Sequence, residues 1–246
     1  MSKYIAIIQT GEPIASAFDK YGDFDALFIK HMQIDSSLTK TFRVFKSIAF
    51  PQANELAGII ITGSPAMVTE QHEWSEQTID WLRKNINAKV PILGVCYGHQ
   101  LLAIALQGQV DWNPNGRQIG RINMKLEKQA YVDPLFSSLI DSQQTSIDYY
   151  ATHLQSVTVL PESVTLLGST NLDPYHCFRY ENHVWGLQFH PEFNAKVIQD
   201  YVNTRSQDIE NEGLNPNKIL TEIKENNNGT ILLKRFKDLC FNAYNA

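Results

Sequence analysis

The chain has 246 residues, 43% of them hydrophobic, and a formal net charge of −5 at pH 7. The length suits one α/β domain, or one domain with a modest extension, and the acidic balance gives no electrostatic reason to expect nucleic acid or an anionic membrane as a partner. No apolar run is long enough for a signal peptide or a membrane span, and three widely spaced cysteines indicate neither a disulfide framework nor a zinc site. We therefore expect a cytoplasmic protein.

Strands and helices alternate along the first half of the chain. Four apolar or alternating runs predict strands at 4–9, 41–48, 58–62 and 90–95. Between them, one predicted helix carries Leu27, Phe28 and Met32 on one face, and another spans 76–87. Strands separated by helices are typical of a parallel sheet. We therefore predict a three-layer α/β sandwich around a mostly parallel sheet, within a single domain over residues 1–246.

A glycine-flanked cysteine follows the strand predicted at 90–95. The segment Gly94-Val95-Cys96-Tyr97-Gly98 makes a turn too tight for side chains at its two glycines, and a helix begins close behind it. A nucleophile motif requires this strand–turn–helix context, and the positive end of the helix favours a thiolate. The pattern indicates a nucleophile at Cys96, although alone it also fits a buried structural cysteine beside a tight turn.

A base and an orienting carboxylate follow a later strand. Alternating apolar residues predict this strand at 184–189, and His190 and Glu192 stand at its end. Side chains two residues apart on a strand share a face, so the carboxylate can orient the imidazole while its other nitrogen faces Cys96. A single histidine at a strand end is usually structural. Together with the cysteine turn, it is better explained as part of a triad.

Three segments of the sequence together point to a known family. They are residues 94–100, the run His190-Pro191-Glu192, and residues 58–65, a buried strand that ends in a glycine loop. In this combination and order they closely resemble the class I (triad) glutamine amidotransferases, and the resemblance covers residues 4 to about 193. It implies a flavodoxin-like α/β fold, a catalytic triad of Cys96, His190 and Glu192, and chemistry without a metal or organic cofactor.

The resemblance also implies how the site is lined. It places the oxyanion hole at the backbone N–H groups of Gly63 and Tyr97, which agrees with a glycine loop and with a helix start directly after the nucleophile. Glutamine contacts are implied at Gln100, Thr152, His153 and Leu154. The family commonly carries serine or asparagine where Thr152 stands, and His153 could instead be a core histidine with satisfied nitrogens.

The rest of the chain divides into antiparallel strands and a helical tail. A loop at 113–120 precedes an antiparallel pair, and we expect its Arg117 to be solvated. Further strands are predicted at 165–169, 177–180 and 183–189, and helices at 195–211, 217–226 and 230–244. We expect residues 194–246 to be a helical extension packed on the domain. Its charged middle segment, 212–216, is expected to be an inert surface feature rather than a cover over the site or a partner contact.

We predict a glutamine amidotransferase that hydrolyses the γ-carboxamide of glutamine to glutamate and ammonia through a cysteinyl thioester. A Tyr-Gly-Asp-Phe segment at 21–24 resembles the stand-alone branch of the family, related to the glutaminase part of GMP synthase and to γ-glutamyl peptidases. The sequence has no glycine-rich ATP-binding loop and no acceptor-binding domain, so either the ammonia would pass to a separate synthetase or acceptor subunit, or the enzyme would be purely hydrolytic. The alternatives are a γ-glutamyl peptidase acting on γ-glutamyl amides such as glutathione, and a non-catalytic binding or regulatory relative.

Overall fold

A nine-stranded mixed sheet organises the computed structural model, which describes residues 3–242. The strands in chain order are β1 (Tyr4–Gln9), β2 (Thr39–Arg43), β3 (Leu56–Ile61), β4 (Ile92–Val95), β5 (Gln109–Trp112), β6 (Gln118–Leu126), β7 (Ser146–His153), β8 (Gln155–Val159), β9 (Val164–Ser169), β10 (Cys177–Tyr180) and β11 (Val184–Leu187). The large sheet has the order β2-β1-β3-β4-β11-β10-β9-β6-β7, and β5 pairs separately with β8. The functional elements identified in the sequence therefore lie at the centre of the sheet.

The sheet is parallel on one side and antiparallel on the other. Strands β2, β1, β3, β4 and β11 pair in parallel, whereas β11, β10, β9, β6 and β7 pair with one another in antiparallel fashion. The connections between β9, β10 and β11 are too short to hold a crossover helix, so these strands must reverse direction. The predicted parallel arrangement thus holds for the half of the sheet that carries the cysteine turn, and the predicted meander forms the beginning of the other half.

Eight helices lie within the described residues. They are α1 (Ala15–Tyr21), α2 (Phe24–Met32), α3 (Glu73–Asn85), α4 (Tyr97–Ala105), α5 (Ala195–Thr204), α6 (Ser206–Asn211), α7 (Pro216–Glu222) and α8 (Asn228–Asn242). Among these residues, no helix combines the length and the apolar character needed to cross a membrane.

Two apolar clusters, one on each face of the sheet, produce three layers. Along β1, Ile5 and Ile7 pack into one cluster while Ala6 and Ile8 pack into the other, because successive strand side chains point to opposite faces. Helices α2 and α8 cover the first face, and α3 and α4 cover the second. The predicted three-layer α/β sandwich is confirmed.

The helical tail differs from the prediction in its bounds and in its role. The helix predicted at 195–211 is broken at Arg205, the next one spans Pro216–Glu222 rather than 217–226, and the last begins at Asn228. The predicted end of that last helix at Tyr244 lies outside the described residues. Helix α8 packs against α2 and β3, and Cys240 fills the space above Gly58 so closely that a β-carbon there would overlap its sulfur. This part of the tail is therefore a layer of the sandwich.

Two strands also end earlier than predicted. The strand predicted at 41–48 ends at Arg43, and the strand predicted at 184–189 ends at Leu187. Gln188 and Phe189 remain fully buried although they lie beyond the strand. In the strand predicted at 184–189, hydrophobic patterning follows this burial, which continues past the point where backbone pairing stops, so the pattern overestimates strand length.

Candidate active site

Cys96 occupies a strained turn between β4 and α4. Its backbone has φ 51° and ψ −99°, which a residue with a side chain rarely adopts and which costs on the order of 1–3 kcal/mol. The turn can be this tight because glycines flank it: a β-carbon on Gly94 would lie 2.5 Å from the carbonyl oxygen of Gly98. A β-carbon on Gly98 would in turn overlap the carbonyl of Ile61. The surrounding structure therefore holds Cys96 at the first turn of α4, as the sequence predicts.

His190 and Glu192 form a buried hydrogen-bonded pair beyond β11. The Nδ1 atom of His190 lies 2.8 Å from Oε1 of Glu192, and both side chains are almost completely buried. Because β11 ends at Leu187, the two residues meet through a turn; the expectation that a shared strand face brings them together is wrong. The turn is fixed by the His190 N–H, which donates to the Tyr150 carbonyl at 2.8 Å, and by Phe193, whose ring stacks on the imidazole.

Gly63 lies where the imidazole and the cysteine come together. A β-carbon on Gly63 would stand 2.9 Å from Cε1 of His190 and 3.6 Å from the β-carbon of Cys96. Both side chains also line the same cleft. The structure therefore brings Cys96, His190 and Glu192 into one cluster. The Nε2 atom of His190 is shielded from solvent, and the imidazole interacts with the Cys96 side chain as well as with Glu192.

Burial and charge act in opposite directions on His190. Burial alone would lower its pKa, because it disfavours the charged imidazolium. The adjacent Glu192 carboxylate and the nearby Cys96 sulfur oppose this and raise the pKa to about 10. The imidazolium form is therefore favoured at neutral pH. A histidine in this state holds the proton that a departing amine requires.

The N–H group of Gly63 has a fixed orientation. The carbonyl oxygen of Thr62, in the same peptide unit, accepts hydrogen bonds from Gly98 N–H at 3.2 Å and from the Thr10 hydroxyl at 3.0 Å. Since the peptide is planar, these bonds also set the direction of the Gly63 N–H. Neither this N–H nor that of Tyr97 donates to another group in the described part of the chain. Two backbone N–H groups close to Cys96 are thus without an acceptor in the described residues, and their role as the oxyanion hole stays a prediction.

Position 63 requires glycine because of a steric contact and not because of a backbone conformation that other residues avoid. Gly63 is not among the residues with positive φ, so its backbone does not require the left-handed region. The restriction is steric, because a side chain would meet the ring of His190. A single methyl group added at position 63 is therefore a small and specific perturbation of the site.

We expect Gly63→Ala to reduce turnover roughly a hundred- to a thousandfold, the loss typical of one misplaced oxyanion donor. The added methyl group must displace either the Gly63 loop or His190. Turnover and a melting curve measure the effect. Gly168→Ala is a matched control, because its β-carbon would be just as tightly placed, 2.6 Å from the Met124 sulfur, while Gly168 does not line the cleft. Equal turnover of Gly63→Ala and wild type would remove Gly63 from the site.

The residues predicted to contact glutamine line a cleft that opens onto Cys96. Gln100, Thr152, His153 and Leu154 all border it, and the Cys96 sulfur lies 3.8 Å from the Thr152 carbonyl oxygen. The Gln100 amide nitrogen already donates to the Gln155 carbonyl at 2.8 Å and to Oε1 of Gln188 at 3.1 Å. Direct contact of Gln100 with glutamine stays a prediction, since these bonds would hold its side chain in the cleft wall.

His153 matches the alternative of a satisfied core histidine while bordering the cleft. Its Nδ1 lies 2.9 Å from the Gln155 carbonyl oxygen and its Nε2 lies 3.0 Å from Oε1 of Gln118. Burial lowers its pKa to about 4, so the ring is neutral. With Asp173 and His176 it forms the one group in residues 3–242 whose geometry resembles a metal-ligand set. Asp173 and His176 contact one another at 2.9 Å, and His153 uses both nitrogens, whereas Nε2 of His176 is buried without a partner among residues 3–242.

Two arginines also border the cleft, and neither was expected there. Arg117, expected to be solvated, is buried and makes two hydrogen bonds to Glu212, at 2.6 and 2.7 Å. Arg205, at the break between α5 and α6, lines the cleft beside Cys96. The expectation of an inert segment at 212–216 is therefore wrong at Glu212. No local signal marks these residues, because each lies in a polar segment and only the folded chain brings the two to one cleft.

The fold and this cluster define a class of protein that is confirmed by comparison. An α/β sheet with a cysteine on a strand–turn–helix elbow beside a buried histidine–carboxylate pair is typical of enzymes with an activated nucleophile. The family model "Glutamine amidotransferase class-I" matches residues 23–205, and the chain belongs to this family.

Individual relatives cover the chain to different extents. A glutamine amidotransferase-like protein of Schizosaccharomyces pombe is 28% identical over 217 residues, which are 82% of this chain and 84% of that protein. Gamma-glutamyl peptidase 3 of Arabidopsis thaliana is 26% identical over 187 residues, 74% of either chain. The GMP synthase of Haemophilus influenzae is 35% identical over 139 residues, 55% of this chain. The chain spans only about a quarter of the length of the GMP synthases that it matches.

A solved structure has the same fold. The glutamine amidotransferase of Methylobacillus flagellatus superposes with a TM-score of 0.76 over 97% of this chain and 96% of its own, at 18% sequence identity. At this identity the likeness establishes the fold alone. The mixed sheet and its covering helices therefore recur together in a solved glutamine amidotransferase.

Proposed function

We propose that this protein hydrolyses the γ-carboxamide of glutamine to glutamate and ammonia through a cysteinyl thioester. One observation carries the proposal: Cys96, on a strained elbow at a helix start, stands beside the buried His190–Glu192 pair. A nucleophile, a base and a group that orients the base are the minimum set for covalent acyl transfer.

The proposed reaction begins from a Cys96 thiolate beside a protonated His190, either as an existing ion pair or after transfer of the Cys96 proton to His190, whose pKa is raised to about 10. The Cys96 thiolate attacks the γ-carbonyl carbon, and the N–H groups of Gly63 and Tyr97 hold the resulting oxyanion. The tetrahedral intermediate collapses when His190, charged and oriented by Glu192, protonates the leaving nitrogen and ammonia departs. Water, activated by the now neutral His190, then hydrolyses the γ-glutamyl thioester to glutamate and free Cys96.

The relatives suggest a destination for the released ammonia. GMP synthases carry a segment similar to this chain within a protein about four times as long as the matched region. We propose that the ammonia formed here passes to a separate synthetase chain, as the sequence predicts. The proposed partner therefore supplies an activated acceptor, which the glutaminase reaction itself does not require.

A γ-glutamyl peptidase is the second candidate. The overall match to gamma-glutamyl peptidase 3 favours it, because the alignment covers 74% of both chains, whereas the GMP synthases are matched over only a quarter of their length. The same acyl-enzyme serves both reactions, and only the leaving amine differs. A non-catalytic relative is the least favoured, since it would not need the strained Cys96 turn and the His190–Glu192 pair together.

The choice between these candidates rests on the leaving group. The purified chain is incubated with glutamine and with glutathione, and ammonia and cysteinylglycine are measured separately. A higher kcat/KM with glutamine supports the glutaminase, and a higher value with glutathione supports the peptidase. Cys96→Ala serves as the background control in both assays. Product formation that is no faster than this control with either substrate would contradict an enzymatic function on γ-glutamyl amides.

A further inference from the structure

Two neighbouring clefts meet at Cys96. The first is bordered by Gln100 and Leu154, and the second by His190 and Tyr201. Cys96, Thr152 and Arg205 border both, together with Ser64 and Pro65. Arg205 is the one positively charged side chain that lines both clefts within the described residues, so it stands at their junction beside the proposed nucleophile.

Arg205 has no hydrogen-bonded counter-charge, because the Glu212 carboxylate, whose pKa both arginines lower, is bonded to Arg117. In residues 3–242 its guanidinium makes neither a hydrogen bond nor an ion pair, and its Nε is shielded from water without a partner. The other charged groups around the clefts are paired: Arg117 with Glu212, Glu12 with Lys46, and His190 with Glu192. A shielded donor without an acceptor is unfavourable unless something supplies one. The guanidinium of Arg205 therefore presents donors to the clefts that no group of the described residues accepts.

The backbone around Arg205 is held from both sides. Its N–H donates to the Tyr201 carbonyl at 3.1 Å, and its carbonyl accepts from the Ile209 N–H at 2.9 Å. At the C-terminal end of α6, Glu212 pairs with the buried Arg117. The break between α5 and α6 thus has a defined position over the clefts, as a binding residue needs.

We propose that Arg205 binds a carboxylate of the substrate. This inference rests on the proposed function, because it takes the substrate to be a γ-glutamyl amide. Guanidinium and carboxylate match as a planar, two-pronged pair. Every γ-glutamyl compound carries an α-carboxylate, and a γ-glutamyl peptide carries a second carboxylate on its leaving amine. Arg205 borders both the Gln100 cleft and the His190 cleft, and since His190 protonates the leaving nitrogen, the latter receives the leaving group.

Four substrates distinguish binding of the α-carboxylate from binding of the carboxylate on the leaving amine. Glutamine and γ-glutamylmethylamide have only the α-carboxylate, γ-glutamylglycine has both, and the α-amide of glutamine has neither. Arg205→Gln removes the charge, and Arg205→Lys keeps it without the planar fork. Lys196→Gln is the matched control, because it removes an exposed positive charge from the same helix α5 and lines neither cleft.

We expect Arg205→Gln to lower kcat/KM roughly ten- to a hundredfold, mainly through KM, for substrates that carry the bound carboxylate. Arg205→Lys should recover part of the loss. An equal loss for all substrates except the α-amide of glutamine assigns the α-carboxylate. A loss confined to γ-glutamylglycine assigns the leaving group. Unchanged constants for all four substrates, or an equal loss that includes the α-amide, would overturn the proposal.

A binding measurement tests the role of Arg205 without relying on the proposed catalytic function. Calorimetric titration of Cys96→Ala with γ-glutamylglycine, with and without Arg205→Gln, needs no turnover. A wild-type enzyme that hydrolyses none of the substrates would contradict the proposed function. A titration in which Arg205→Gln leaves the affinity unchanged, or in which Cys96→Ala binds none of the compounds, would contradict the role of Arg205. Weaker binding on Arg205→Gln, with Lys196→Gln unchanged, supports it.

Discussion

Cys96→Ala is expected to lower turnover by a factor on the order of 10⁴ or more, because covalent catalysis ends when its nucleophile is lost. The side chain is almost buried, so the smaller alanine should leave the fold and its melting temperature nearly unchanged. Cys177→Ala is the matched control, since Cys177 is another buried, free cysteine of the same sheet. We expect this control to keep turnover within a few-fold of wild type, measured as product release from a γ-glutamyl amide.

Covalent labelling tests the same assignment without mutation. A γ-glutamyl electrophile should modify Cys96, which borders both clefts, and a peptide map by mass spectrometry identifies the site. Burial raises the pKa of the Cys177 and Cys240 thiols well above their ordinary value, so both should remain unmodified. Modification of either of them with Cys96 intact, or normal turnover of Cys96→Ala, would remove Cys96 as the nucleophile.

The cysteine elbow could be predicted from the sequence because its determinants are local. Two glycines within five residues, an apolar strand before them and an apolar helix after them are all visible in residues 90–105. The structure adds the reason: backbone atoms stand where side chains of Gly94 and Gly98 would be. The alternation of strands and helices likewise predicted the parallel half of the sheet, since each crossover needs a helix between two strands.

Arg205 and Arg117 could not be recognised in the same way. Each lies in a polar segment outside the motifs, and Arg205 reaches the site because helices of the tail pack on β6 and β7. The ion pair joins residues 117 and 212, which are 95 residues apart in the sequence, so no periodic pattern in the sequence predicts it. The sequence also did not predict the turn that joins His190 to Glu192. The strand pattern continues through Gln188 and Phe189, which are buried although β11 ends at Leu187.

His190→Asn is expected to be nearly as damaging as the loss of Cys96, whereas Glu192→Gln should be roughly ten- to a hundredfold less damaging. Asparagine cannot exchange a proton with the sulfur or the leaving nitrogen. Glutamine at position 192 keeps the hydrogen bond to Nδ1 and loses only the charge. Turnover of the two variants on one γ-glutamyl amide, with melting curves for both, measures the difference. Small effects of both changes would mean that the pair is not catalytic.

The pH dependence distinguishes an orienting carboxylate from a merely structural one. Glu192 and Cys96 raise the pKa of His190 above its ordinary value of 6.5, to about 10. The stabilisation gained by charging His190 is therefore fully present below the ordinary pKa and is lost as the pH rises through the folded value. Removing the Glu192 charge must lower the folded pKa, so the alkaline limb of kcat/KM should move to lower pH in Glu192→Gln. The melting temperature should begin to fall at lower pH in the same variant.

If the pH profiles of kcat/KM and of the melting temperature both move to lower pH in Glu192→Gln, the charge of Glu192 raises the pKa of His190. His190→Asn supplies the control for stability, because it has no imidazole to titrate and its melting temperature should lose this part of the pH dependence. Cys96→Ala should also lower the pKa of His190, since the sulfur contributes to raising it. If the alkaline limb of Glu192→Gln coincides with that of wild type, the carboxylate does not act on the catalytic proton, and the His190–Glu192 bond has only a structural role.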